Sequence, residues 1–124
     1  MGKNFHNEMA EYAFSNVTRI RSNDKEFRSL ARSMPSMLQV NGMGAAMAFL
    51  CSKKKNGNAH ENMYQIVDQW FQREKFQSSG HKEGLMKRIV ELDSDTYRLY
   101  MIEMMNLCQW VKRFAEGMID GETK

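Results

Sequence analysis

The sequence is poor in the residues that staple, break or thread a chain. It holds one proline and two cysteines among 124 residues, so a disulfide framework is not its source of stability and Pro35 is its only strong helix breaker. A chain of this length buries about two-thirds of the surface it exposes when unfolded, which builds a core without metal or disulfide. Cys51 and Cys108, both among apolar neighbours, are therefore expected as buried free thiols. The longest apolar run, Met43 to Cys51, is interrupted by Gly44 and falls far short of the about 20 residues that span a bilayer. No apolar signal core stands near Met1, and His6 occupies the place where a myristoylation signal needs Ser or Thr. A cytoplasmic protein without membrane contact is expected.

The residue patterns of catalysis are missing as well. His60-Glu61-Asn62-Met63-Tyr64 starts like a zinc-protease helix, but tyrosine stands where the second histidine ligand belongs. His6, His60 and His81 fall in separate segments with no spaced Cys or acidic partners, so all three are expected on the surface and no metal or other cofactor is expected. There is no glycine-rich phosphate loop and no nucleophile elbow. The chain does not read as an enzyme.

What is present is helical spacing. With 42% hydrophobic and 27% charged residues the composition is that of one ordinary globular domain, and no stretch shows the alternation of a half-buried strand. The fold class is all-α: a compact single-domain bundle of about six helices spanning residues 1–124, with residues 118–124 as a frayed tail. Phe5, Met9, Tyr12, Ala13, Val17 and Ile20 define a first helix over about 4–20. Asn23, with Glu26 three residues on, caps a second carrying Phe27, Leu30, Ala31 and Met34. Pro35 is expected to open a short turn through Val40, and Asn41-Gly42 to cap the helix end. A central third helix from about Met43 to Lys54 is apolar nearly all round. Asn58 and Glu61 form a capping box for a fourth helix to about Phe76, Gln77 to Gly80 make a turn, and Leu85, Ile89 and Leu92 mark a shorter fifth. Asp93 or Ser94 caps a long C-terminal helix from Tyr97 to Met118. The twelve methionines fall on these stripes as packing residues.

Charge is distributed unevenly. The net charge is only +3, yet Arg19, Arg21, Lys25, Arg28, Arg32, Lys53, Lys54 and Lys55 stand against Asp24 and Glu26 alone, a local excess of +6 over residues 19–55. Lys25, Arg28 and Arg32 recur at three and four residues and so share one helix face, away from Phe27, Leu30 and Met34. A basic stripe without base-reading side chains suits phosphate contact, which positions without reading sequence. The same pattern also serves as a solvated face, or as the basic face of a helical protein-interaction adaptor.

Two blocks, Met34-Pro35-Ser36-Met37-Leu38-Gln39-Val40-Asn41-Gly42-Met43 with Ala46 to Lys53, and Leu107 to Glu116 with its Trp110-Val111-Lys112-Arg113-Phe114-Ala115 core, carry a family resemblance. Together with Glu11-Tyr12-Ala13 they resemble the small α-helical subunit of type III-B CRISPR (Cmr) RNA-guided effector complexes. Residues 56–93 match only in helical pattern. The resemblance implies a non-catalytic subunit in antiviral defence, stacked in several copies beside the backbone nuclease subunit and the large subunit along guide RNA and target RNA. Alone, it would be a monomer or weakly self-associating. By the same resemblance Arg19, Arg28, Arg32, Lys53, Lys54, Lys112 and Arg113 become candidate phosphate contacts, with Arg32 and Lys53 favoured because they flank the first block. Base pairing would then carry recognition, as in other RNA-guided systems.

Overall fold

The structure, a computed structural model, describes residues 5–73 and 84–121, with side chains from Glu8 onward. Among the described residues five helices follow one another: α1 (Phe5–Thr18), α2 (Lys25–Lys53), α3 (Ala59–Phe71), α4 (Leu85–Val90) and α5 (Ser94–Met118). No strand occurs among the described residues, and none of these helices is long and apolar enough to cross a membrane. The fold is all-α, as the spacing predicts, and its C-terminal helix is 25 residues long.

The difference from six helices lies in α2. Gly42, at φ 86° and ψ 170°, breaks the helical backbone inside it, so residues 25–41 and 43–53 are two limbs joined without a loop. Pro35 opens no turn. It sits buried inside the first limb, because Phe27, Ala31, Met34 and Leu38 form one buried stripe that a turn there would have split. Proline costs a helix interior about 3 kcal/mol, and burying that stripe on both sides of it offsets the loss. The N-cap is Asp24 rather than Asn23, its carboxylate accepting the Phe27 amide at 2.9 Å. The box at α3 forms: Asn58 Oδ1 accepts the Glu61 amide at 2.9 Å, and Glu61 Oε1 accepts the Gly57 amide at 2.6 Å. Asp93 caps α5 through Thr96. The end of the fourth predicted helix beyond Arg73 and the Gln77–Gly80 turn lie outside the described residues.

α2 is the middle element, packed against α3, α4 and α5, while α1 lies on α5. Met43, Ala46, Met47 and Leu50 of its second limb are fully buried, but Ala45 and Ala48 are exposed. The limb is covered on one side rather than all round. Trp70 of α3 fills the centre at 0% exposure, its Nε1–H donating to buried Glu103 at 2.6 Å. Cys108 is buried as expected, whereas Cys51, near the end of the second limb and beside Tyr64, is only half-buried; both are free. His60 departs from its expected surface position: its ring packs edge-on to Phe49 with centroids 5.5 Å apart, leaving the side chain 14% exposed. The side chain of His6, and all of His81, lie outside the described residues.

Burial sets an alkaline limit to this fold. It pushes the Cys108 thiol from 9.0 up to about 12 and the Tyr12 phenol from 10.0 up to about 12. The unfolded chain releases these protons first, so the stability they hold is complete below pH 9 and is lost as pH rises from 9 towards 12. The urea midpoint is expected to be flat from neutrality to about pH 8 and to fall across that window, and Cys108→Ala should remove the earliest part of the fall.

Candidate nucleic-acid interface

Arg28 and Arg32, one turn apart on the first limb of α2, face the C-terminal end of α5. The two arginines meet it differently. Arg28 Nη2 donates to the Glu116 carbonyl at 3.4 Å, and its Nε is buried without a hydrogen-bond partner. The chain beyond α5 folds over it: Asp120 donates its amide to the Ser22 carbonyl at 2.7 Å, and a Cβ on Gly121 would lie 3.0 Å from the Arg28 guanidinium carbon. Arg28 thus holds a cation at the carbonyl end of α5, where the helix dipole favours one. Arg32 points outward, its side chain 60% exposed, with Nε 3.2 Å from Glu116 Oε2. Lys112 precedes Glu116 by one helical turn on the same edge of α5. Three candidate cations therefore lie at the α2–α5 junction: Arg32 on the Glu116 carboxylate, Arg28 on its carbonyl, and Lys112 one turn before it.

Arg113 lies next to this group on the outer face of α5, exposed, its guanidinium 5.8 Å from the Trp110 ring. On the other edge of α5, Trp110 stacks on Phe114 at 5.6 Å, and Phe114 meets Phe14 of α1 edge-on at 5.5 Å. Phe14 is 48% exposed, and Trp110 and Phe114 are half-buried. Residue spacing does not single out this ladder of three rings. It assigns Phe114 to the core stripe, and the only signal is the pair of aromatics around Arg113.

The remaining candidates stand elsewhere. Lys53 and Lys54 end the second limb of α2, exposed, with Nζ atoms 5.9 Å from the Phe49 ring and 4.7 Å from the Tyr64 ring. Arg32 and Lys53 each lie about 15 Å along the helix from Gly42, on opposite sides of it, so no single short contact is built from both. Arg19 follows α1 and lines an open groove of about 620 Å³ between α1 and α3, with Tyr12, Asn16, Gln69 and Arg73. Arg73, which the spacing does not mark, lies 4.4 Å over the Trp70 ring. Among the described residues no group of His, Cys, Asp or Glu is arranged to hold a metal ion.

Similar proteins bear on this geometry. The family model described as "CRISPR-associated protein (Cas_Cmr5)" matches residues 5–118. The crystal structure of a CRISPR-associated Cmr5 family protein from Thermus thermophilus is similar over 95% of this chain and 100% of that one, with a TM-score of 0.78 and 22% identity. At that identity the likeness speaks for the fold.

Proposed function

The chain belongs to the Cmr5 family of CRISPR-associated proteins, small subunits of type III-B complexes, and from that membership we propose that it is a non-catalytic spacer along the RNA path of its complex. It stacks in several copies beside the backbone subunits and touches the target RNA through phosphates. The observation that carries the RNA contact is the placement of Arg32 on the Glu116 carboxylate and Arg28 on its carbonyl, with Lys112 one helical turn away and Arg113 alongside. One carboxylate does not neutralise three cations, and the excess is displayed on an edge where Arg32 remains exposed. Arginine and lysine side chains are among the usual donors to phosphate oxygens, which agrees with backbone contact. Val40, Val90, Leu99 and Ile102, all more than half exposed, supply apolar surface for neighbouring protein subunits.

Arg32→Ala with Lys112→Ala tests the reading without touching the clamp formed by Arg28. The Arg32 ion pair is exposed and holds at most about 1 kcal/mol, so the fold should survive. Binding of single-stranded RNA by the assembled complex should weaken, and the slope of log K against log salt should flatten by about 0.7 per lost contact. An unchanged slope in a correctly assembled complex would take these side chains out of the RNA path. Retrieval of the other subunits after ribonuclease treatment, with no RNA effect of the variant, would favour the adaptor reading instead.

A further inference from the structure

We propose that Phe14, Phe114 and Trp110 form a platform on which an unpaired RNA base stacks, with Arg113 holding the phosphate beside it. The inference rests on the phosphate-contact reading above and adds to it the state of the ligand: single-stranded, with a base free to turn towards the protein.

The placement argues for it. Around the outer face of α5 the side chains run in order from Lys112, through Glu116 with its Arg32 partner and Arg113, to Trp110 and Phe114, and across to Phe14 on α1. Cations thus occupy one edge of the helix and aromatic rings the other, with Arg113 between them, 5.8 Å from the Trp110 ring. A polynucleotide presents the same two chemistries side by side, an anionic backbone and flat π-faces. Stacking tolerates any base, as a subunit that leaves recognition to base pairing requires. An apolar protein segment laid over the rings would instead have to desolvate Arg113 without pairing its charge. Phe14 is also 48% exposed although α1 buries Met9, Ala13 and Val17 on its core stripe, which leaves part of its ring open to a ligand.

The chain contains two tryptophans, and Trp70 is wholly buried, so quenching of tryptophan emission by an added ligand reports on Trp110. The full chain is titrated with single-stranded oligouridylate and, separately, with inorganic polyphosphate, which carries the charge but no base. Both should bind in a salt-sensitive way, and only the RNA should quench. Phe14→Ala, on an exposed side chain, should weaken RNA binding about tenfold and leave polyphosphate binding unchanged. If RNA binds without quenching and Phe14→Ala weakens neither ligand, the platform is wrong while the phosphate contact stands. If neither ligand binds, both readings fall. If Phe14→Ala leaves RNA binding intact but removes self-association or retention of a protein subunit, the rings are a protein interface and the proposal is overturned.

Discussion

Gly42→Val is expected to lower folding stability by about 3 kcal/mol or more, seen as a fall of roughly 10 °C or more in Tm. At φ 86° and ψ 170° the backbone occupies a region open essentially to glycine alone. Space is short as well, since a Cβ there would lie 3.1 Å from the Tyr97 hydroxyl. That hydroxyl cannot simply withdraw. It accepts the Met43 amide at 3.3 Å, satisfying one of the donors left open where the second limb of α2 begins. Valine adds two methyl groups at the point where the first limb, the second limb and α5 meet. Gly57→Ala is the control: its φ is 71°, but nothing lies within 4 Å of its Cβ, so only the conformational cost of about 1 kcal/mol applies. Thermal unfolding of the two variants side by side separates strain from collision. If Gly42→Val kept its Tm yet failed to join its complex, the packing account would be wrong and Gly42 would be an interface residue.

Gly42 shows what local spacing can reveal. Asn41-Gly42 is readable as a break because positive φ is a property of glycine itself. Pro35, in the same helix, misleads for the opposite reason: its local cost is large, and the compensation comes from a stripe that only the folded bundle buries. The basic face divides in the same way. Spacing places Arg28 and Arg32 on one side of α2, and they are there. Which of them meets solvent is decided by the end of α5, whose Glu116 carbonyl lies 88 residues from Arg28 in sequence. The aromatic ladder needs contact between α1 and α5, and no pattern within one helix reports that. The all-α class and the caps on α3 and α5 are local properties, and these are legible.

Trp70→Ala is expected to cost about 3–5 kcal/mol, a large share of the roughly 5–15 kcal/mol that holds a domain of this kind together. Trp70 is fully buried, tilted against the Tyr12 ring at 5.0 Å with the Arg73 guanidinium 4.4 Å from its centroid, so its removal opens the α1–α3–α5 junction at once. Volume is not the whole loss. Glu103, the one charged side chain among the buried residues described, accepts the indole N–H at 2.6 Å. Trp70→Phe keeps most of the ring but withdraws that donor, and Glu103→Leu withdraws the acceptor from a buried N–H. Each should cost about 1–3 kcal/mol through the group left behind. The double variant, with both polar groups gone, should recover part of that sum. Urea unfolding of the four proteins measures the coupling directly. Strict additivity would mean that the hydrogen bond contributes nothing and that Glu103 is held by its other contacts. Trp70→Phe also leaves Trp110 as the sole tryptophan, so the variant that tests the centre of the bundle makes its outer aromatic face directly observable.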